Sequence, residues 1–321
     1  MNRTVDRRTQ PNRRSRRGTG TVGFQKEDSL GTSIKRGPMK LYFRSARFLA
    51  VLMAMVSLGF SQNSDLPQDK VAVVYGQNIH YFEVGHGPAV ILLHGMGGSK
   101  EQWFANIGAL ASKYHVYAID QIGFGQSDKP LLDYRIATFT DFLRGFMQAE
   151  KIAKATIVGN SFGGWIALDF AVQHPEMVDK LVLVDAAGLA WQRPLPDLNP
   201  STIAGWRTLI ELVFYDKKIV SDEGVMQAFT QHMRNNDGYT IQRTVANFAQ
   251  PQFEDGKLAS IHAATLVAWG RQDELIPLAS GEKLRDGIAG AKLLVFEHCG
   301  HVPQIEKSAE FNQALLEFLG T

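Results

Sequence analysis

Short apolar runs recur along the chain from about residue 71 to its end, and polar or glycine-rich segments separate them. Six of these runs are apolar at nearly every position, without the strict alternation of a half-buried strand. Such runs are typical of strands buried on both faces, as in a parallel sheet covered by helices. We predict strands over 89–93, 115–119, 155–158, 180–184, 265–269 and 292–296.

Two further β-rich runs come first, over 71–75 and 79–84, and they flank the turn sequence Gly76-Gln77-Asn78. That spacing predicts a hairpin. Longer segments between the strands carry apolar residues at helical spacing. They predict helices over 100–112, 136–150, 162–173, 281–287 and about 309–319. The alternation of strands and helices predicts an α/β fold with a doubly wound sheet.

One segment interrupts this alternation, over about 190–260, between two predicted strands. Its pattern is helical, and it is rich in large apolar side chains. These are Trp191, Trp206, Phe214, Tyr215, Phe229, Met233, Phe248 and Phe253. Such an insertion predicts a helical lid, with an ordinary surface excursion as the alternative.

The front of the chain has a different composition. Residues 1–38 contain ten Lys and Arg against three acidic residues, a net charge of +7, and they include few large apolar side chains. A segment of this kind cannot bury a core, so we predict a disordered basic extension.

Residues 39–61 have the three-part pattern of a secretory signal peptide. A cationic stretch begins at Met39, an uncharged apolar run covers 48–60, and the small residues Gly59 and Ser61 suit cleavage after Ser61. The run is short for a membrane span, which needs about 20 residues. We predict translation from Met39 and export to the periplasm or the medium. An uncleaved signal anchor, with membrane association through 48–60, is the alternative, and a cytoplasmic location is disfavoured.

The overall charge conceals a split between the two parts of the chain. The formal net charge is +2, yet residues 62–321 carry 21 basic and 29 acidic residues, a net charge of −8. This acidic part, which we predict to be the folded domain, is unsuited to binding nucleic acid. The single cysteine, Cys299, excludes a disulfide within the chain.

The most specific chemical signal is Gly159-Asn160-Ser161-Phe162-Gly163, which fits the pattern G-x-S-x-G. It follows a predicted strand and opens a predicted helix, as that pattern requires. The glycines permit a sharp turn that exposes the serine hydroxyl at a helix N-terminus, where the dipole favours negative charge. We predict Ser161 as a nucleophile, with Gly159 and Gly163 supporting the turn.

A serine hydroxyl needs a general base at neutral pH. Among nine histidines we select His301, which follows Gly300 in the loop after the last predicted strand. His298 is close in sequence but lacks the preceding glycine. His174 lies at a predicted helix end, and His94 belongs to a glycine-rich segment after an earlier strand.

The base in turn needs a carboxylate that orients the imidazole. Asp273 lies just past a predicted strand end, and the order Ser161, Asp273, His301 is the one found with the G-x-S-x-G turn. Asp185, which also follows a predicted strand, is the alternative acid. Glu274 is expected to point elsewhere.

Backbone N–H groups must stabilise the negative charge that develops on the substrate. The glycine-rich segment 94–99 follows a buried strand, and we predict the N–H groups of Met96 and Phe162 as the oxyanion hole, supported by His94 and Gly95. The segment lacks the Gly-Lys-Ser/Thr ending of a phosphate-binding loop. No metal-ligand spacing occurs in the sequence either, so we expect neither cofactor nor metal.

These residues together resemble the α/β-hydrolase superfamily over about residues 68–320. Its landmarks are matched by His94-Gly95, Asp120 to Ser127, the Ser161 turn, Gly270 to Asp273 and Gly300-His301. The resemblance implies an eight-stranded, mostly parallel sheet with helices on both faces and a helical lid after the sixth strand.

Two subfamily resemblances point in different directions. The segment 120–127 is similar to that of epoxide hydrolases and haloalkane dehalogenases, which use an aspartate nucleophile, and Ser161 argues against both. Asn160 and the segment 269–273 resemble the hydrolases that cleave carbon–carbon bonds in meta-cleavage products of aromatic rings. Val302 and a glycine-rich segment without the Gly-Ser-Gly-Pro form depart from that subfamily, and an export signal fits intracellular ring catabolism poorly.

We therefore expect hydrolysis of a carboxylic ester through an acyl-enzyme on Ser161, with a small-molecule substrate whose acyl group is mostly apolar. Hydrolysis of a carbon–carbon bond by the same residues is the first alternative. A binding protein of the same fold that turns over slowly is the second.

Overall fold

The computed structural model describes residues 66–189, 195–248 and 255–320. The predicted basic extension and the predicted signal segment lie outside these residues. In the described part of the chain, no helix has both the length and the apolar composition needed to cross a membrane.

Eight strands form one sheet: β1 (Gln68–Val74), β2 (Gln77–Val84), β3 (Ala89–Leu93), β4 (His115–Ile119), β5 (Ala155–Asn160), β6 (Val178–Val184), β7 (Ala264–Gly270) and β8 (Lys292–Phe296). Their order in space is β1-β2-β4-β3-β5-β6-β7-β8. The β1–β2 and β2–β4 pairs are antiparallel, and the other pairs are parallel. The predicted hairpin and all six further predicted strands are present, which confirms the mostly parallel eight-stranded sheet.

The helices of the described residues are α1 (Phe104–Ala111), α2 (Ile136–Ala149), α3 (Phe162–Gln173), α4 (Ile203–Val213), α5 (Asp222–Asn235), α6 (Gly238–Asn247), α7 (Asp255–Leu258), α8 (Leu278–Gly287), α9 (Pro303–Glu306) and α10 (Ser308–Leu319). The helix predicted over 100–112 is divided, because a 3₁₀ turn, Lys100–Trp103, precedes α1. Further 3₁₀ turns cover Pro175–Met177 and Lys217–Ile219.

Both faces of the sheet are buried, which is why its inner strands are continuously apolar. In β3, Val90 and Leu92 pack into a cluster that includes α1 and α10, whereas Ile91 and Leu93 pack into a second cluster with α2, α3 and α8. Each of the four side chains is at most 1% exposed. Burial of a side chain of this size stabilises the folded state by about 1.5–3 kcal/mol, so one strand contributes to two halves of the core.

Four helices, α4 to α7, lie between β6 and β7, where the insertion was predicted. Local capping explains where two of them begin. The hydroxyl of Thr202 accepts the N–H of Gly205 at the start of α4, and the hydroxyl of Ser221 accepts the N–H of Gly224 at the start of α5. Of these helices, α4 contributes four apolar side chains to the same pocket as Ser161.

A buried ion pair connects the loops that follow β3 and β4. The ammonium of Lys100 lies 3.0 Å from Asp120 Oδ2, and neither side chain is exposed. Asp120 also accepts the N–H groups of Lys100 (2.7 Å) and Gln126 (2.9 Å). A buried charge is tolerated when its partners are complete. The segment 120–127 therefore has a structural role in this chain.

Candidate active site

Ser161 occupies a sharp turn between β5 and α3, as the G-x-S-x-G pattern predicts. Its backbone has φ 55° and ψ −116°, a sparsely populated conformation that costs of order 1–3 kcal/mol. Three backbone hydrogen bonds hold it: the N–H donates to Val184 O, and the carbonyl accepts from Trp165 and Ala187. A Cβ atom on Gly163 would collide with the carbonyl oxygens of Leu93 and His94 at the end of β3, so this position requires glycine.

Asp273 and His301 come from two different strand ends and meet beneath the lid. Asp273 Oδ2 lies 2.7 Å from His301 Nδ1, and Oδ1 accepts the N–H groups of Leu275 (2.8 Å) and Ile276 (2.9 Å). The two side chains are 7% and 4% exposed. Since a carboxylate accepts the proton on Nδ1, the other ring nitrogen, Nε2, is left as the basic atom.

The alternative candidates for the acid and the base do not take part in the hydrogen bond between Asp273 and His301. Asp185 is fully buried beside the Asp273–His301 pair, so the structure brings both candidate acids together, with Asp273 bonded to the imidazole. His298 contacts Tyr215 through Nδ1 and is absent from the cavity lining, as is His174. Glu274 points away and pairs with Lys217, as expected.

The trio Asp185, Asp273 and His301 is also the grouping of potential metal ligands within the described residues. Within the trio, a hydrogen bond of 2.7 Å joins His301 Nδ1 to Asp273 Oδ2.

Two backbone N–H groups beside Ser161 are available to a ligand. Met96 and Phe162 both line the cavity, and neither N–H has an acceptor among the residues described. Phe162 is the first residue of the twelve-residue helix α3, whose leading N–H groups have no partner inside the helix. The structure places both N–H groups at one cavity, and their use as an oxyanion hole stays a prediction.

His94 holds the loop that carries Met96. Its Nδ1 donates to Gly95 O (2.7 Å), its Nε2 accepts the N–H of Gln121 (3.2 Å), and Gln121 returns a hydrogen bond to His94 O (2.7 Å). Both ring nitrogens are used in the neutral form. Burial lowers the pKa of His94 below its ordinary value.

The burial of His94 predicts that the folded protein is less stable at acidic pH. Below about pH 6.5 the unfolded chain binds a proton at His94 that the folded chain does not bind. The contribution of His94 to the free energy of unfolding is therefore complete above about pH 6.5 and is lost as the pH falls below it. Urea unfolding at about pH 7.5 and pH 5.5 should show a smaller pH effect in His94→Asn than in the wild type. The exposed His262, changed to Gln, serves as the control and should keep the wild-type pH effect. Equal pH effects in the wild type and His94→Asn would contradict the assignment.

Sequence reasoning missed one network in the site. Gln102 accepts the N–H of Gly95 (3.0 Å) and donates to Asn160 Oδ1 (2.6 Å), and Asn160 Nδ2 donates to the carbonyls of Val184 and His301 (3.1 Å each). The network connects the glycine-rich loop, the serine turn and the histidine loop. Asn160 could be found from its place next to the nucleophile, but no local signal identifies Gln102.

A cavity of about 240 Å³ lies over Ser161 and His301. Its lining comes from the glycine-rich loop, the serine turn, the lid and the last two strand-end loops. The lid contributes Leu198, Trp206, Leu209, Ile210, Val213, Phe214 and Phe248. The described residues that line this cavity include no Asp, Glu, Lys or Arg, and His301 is the one histidine among them.

Only part of the predicted lid contributes its aromatic side chains to the cavity. Trp206, Phe214 and Phe248 face it, whereas Tyr215 and Met233 are 40% and 61% exposed. Trp191 and Phe253 lie outside the described residues. The pattern of large residues therefore indicated the segment correctly, but it did not identify which members face the substrate.

The chain matches proteins of known fold. The family model described as the alpha/beta hydrolase fold matches residues 88–308. The 2-hydroxy-6-oxo-6-phenylhexa-2,4-dienoate hydrolase of Comamonas testosteroni is 35% identical over 261 residues, which are 75% of this chain and 91% of that protein.

Two solved structures are similar as well. The meta-cleavage product hydrolase of Pseudomonas fluorescens IP01, in a mutant form complexed with acetates, has a TM-score of 0.72 and 32% identity, and the match covers 78% of this chain and 97% of that one. A bacterial membrane phospholipase A has a TM-score of 0.73 and 28% identity, with 87% of this chain and 93% of that one covered. The ring-cleavage-product hydrolases among these relatives favour the carbon–carbon alternative over the ester expected from the sequence.

Proposed function

The chain belongs to the α/β-hydrolase fold family, and on that premise we propose that Ser161 hydrolyses a carbon–carbon bond next to a ketone carbonyl. The observation that carries the proposal is the 35% identity to a hydrolase of a 6-oxo-dienoate, extending over 91% of that protein. The Ser161 turn, the Asp273–His301 pair and the two available N–H groups supply the parts such a reaction needs.

The proposed steps follow from the positions of these groups. His301 Nε2 removes the hydroxyl proton of Ser161, and Oγ attacks the ketone carbon. The N–H groups of Met96 and Phe162 bind the oxyanion, a contribution of about 3–4 kcal/mol per donor in hydrolases where it has been measured. Because the leaving carbon of a 2-hydroxy-dienoate begins as part of a double bond, the 2-hydroxyl must first lose its proton and that carbon must gain one, which gives a conjugated carbonyl at position 2. When the carbon–carbon bond then breaks, its electron pair passes to the leaving carbon, where this carbonyl stabilises it. His301 then delivers the proton to that fragment, and a water molecule activated by the same ring releases the acyl group from Ser161.

A second function, hydrolysis of an ester with an apolar acyl group, is favoured by one specific observation. No Lys or Arg occurs among the described residues lining the cavity. A dienoate carries a carboxylate, and an ionised carboxylate is costly to bury without a cation or several donors. A neutral ester needs neither. The similarity to a membrane phospholipase A points the same way.

One comparison separates the two functions. The purified full-length protein is given 2-hydroxy-6-oxo-6-phenylhexa-2,4-dienoate, followed by loss of its conjugated absorbance, and p-nitrophenyl butyrate, followed by release of nitrophenol. We expect kcat/KM to be higher for the dienoate by at least about tenfold, equivalent to about 1.4 kcal/mol of transition-state stabilisation. The reverse order would replace the proposal with ester hydrolysis.

A third outcome concerns the binding-protein alternative. A fluorophosphonate probe labels an activated serine whatever the natural substrate is. If Ser161 resists this probe and neither substrate is turned over, the chain is a binding protein that has kept the hydrolase fold. Labelling without turnover of either compound would leave a serine hydrolase of a different carbonyl substrate and would overturn both named reactions.

A further inference from the structure

A second buried carboxyl group lies beside the Asp273–His301 pair. Asp185 follows β6 and is fully buried, with φ at 43°. Its Oδ1 accepts the N–H of Gly270 at 3.0 Å. Its Oδ2 is also buried, and no N–H or hydroxyl donor of the described residues reaches it.

Three titratable groups are crowded together at this point. Asp185, Asp273 and His301 each place one oxygen or nitrogen atom within 4.8 Å of the others. Two carboxylates so close, and shielded from water, cannot both ionise without a large cost, so one of them retains a proton.

The surrounding donors decide where that proton resides. Asp273 receives three donors, from the N–H groups of Leu275 and Ile276 and from Nδ1 of His301, and each stabilises its ionised form. Asp185 receives one, from Gly270. The ionised form is therefore favoured at Asp273, and the proton belongs on Asp185.

We propose that Asp185 is a positioning residue that stays protonated and donates its O–H to the Asp273 carboxylate. The bond gives a partner to the Oδ2 atom, which no donor reaches. It also adds a fourth donor to Asp273 and keeps a single negative charge next to the imidazole. One carboxylate is then matched to the one positive charge that forms when His301 accepts the proton of Ser161.

The neighbouring titratable groups are compatible with this arrangement. Burial, followed by the charge of Asp273, raises the pKa of Asp185 well above its usual range. On the side of the last strand, Cys299 is buried, and burial raises the pKa of its thiol, which therefore stays neutral. Glu306 of α9 also faces Asp185, and its oxygens are occupied by the N–H groups of Gly300 (2.7 Å) and Tyr215 (2.9 Å).

This inference rests on the proposed roles of Ser161, Asp273 and His301, and its test has one readout that does not depend on them. Infrared spectra of the full-length protein at about pH 7 should contain the carbonyl band of a protonated carboxylic acid that shifts in D₂O, because ordinary carboxyl groups are ionised there. Asp169 also has a pKa raised by burial, so the spectra are recorded in the Asp169→Asn background. The band should persist in that background and disappear when Asp185→Asn is added. If the second variant fails to fold, the presence or absence of the band in Asp169→Asn alone decides.

The second readout is the rate of Ser161 labelling by a fluorophosphonate between about pH 5 and pH 8. An asparagine at 185 is neutral and donates an N–H in the same place, so Asp185→Asn should keep the labelling rate within about threefold and the midpoint of the acid limb within about 0.3 pH units. Asp185→Leu, which removes the donor to Asp273, should slow labelling by at least about tenfold.

Two results would overturn the proposal. One is the absence of the infrared band in Asp169→Asn. The other is a shift of the acid limb to lower pH by about one unit in Asp185→Asn, which means that an ionised carboxylate had been removed. Loss of turnover on the dienoate or the ester, with normal infrared and labelling results, would count against the proposed reaction alone.

Discussion

Ser161→Ala is expected to lower kcat/KM on the better of the two substrates by about 10⁶-fold, to the level left by binding and the oxyanion donors. The physical reason is that no other hydroxyl is presented at the cavity floor next to His301 among the lining residues described. Both kcat/KM and fluorophosphonate labelling should fall together, because each requires the same oxygen atom. Steady-state kinetics and active-site labelling on the same preparation measure the two effects.

The control for this variant is Ser112→Ala. The hydroxyl of Ser112 contacts Ala109 O at the exposed end of α1, away from the cavity. Its loss should leave kcat/KM within about twofold, as for an ordinary surface substitution. If Ser161→Ala keeps more than about one hundredth of the wild-type rate, Ser161 is not the nucleophile, since a lost nucleophile costs far more.

Asp273→Asn is expected to lower kcat by about 10⁴-fold while the fold is retained. The amide oxygen can still accept the N–H groups of Leu275 and Ile276, so local structure should persist. The amide NH₂ then takes the place of Oδ2 and faces His301 Nδ1, and the negative charge is lost. The imidazole then loses the partner that fixes its tautomer and supports the imidazolium. Turnover against pH, together with circular dichroism, checks the loss and the intact fold.

Glu274→Gln is the matched control, because Glu274 is adjacent in sequence and pairs with Lys217 at the surface. Exposed ion pairs contribute little, so its effect on kcat should stay within about twofold. Activity that survives in Asp273→Asn and disappears when Asp185→Asn is added would contradict the assignment. It would show that Asp185 can serve as the acid.

Several features could be derived from the chain because their causes are local. A parallel strand buried on both faces must be apolar over most of its length, so the runs at β3 and β4 were bounded correctly. The Ser161 turn is similarly local, because it needs glycines at fixed offsets between a strand and a helix. The order of nucleophile, acid and base follows from a fold that places strand ends along one edge.

The reaction was harder to predict from the sequence than the candidate catalytic residues. The sequence favoured an ester, whereas the relatives favour a carbon–carbon bond, because the triad is common to both and the motif describes only the triad. The residues that choose between substrates line the cavity from the lid. Of the large lid residues, some face the cavity and others face solvent, and helical periodicity alone does not say which face the core will cover.

By itself, then, the sequence determined the strands and the sharp turn at Ser161, since each depends on neighbours within a few positions, and it predicted Asp273 and His301 as the acid and base with Asp185 as the alternative acid. Only the tertiary structure decided that Gln102 and Asn160 connect three loops, that the cavity lining is uncharged over its described residues, and that Asp185 lies beside Asp273 instead of replacing it. These contacts join residues dozens of positions apart. Their distances are set by how strands β3, β5, β6 and β7 lie side by side in the sheet, which no local pattern records.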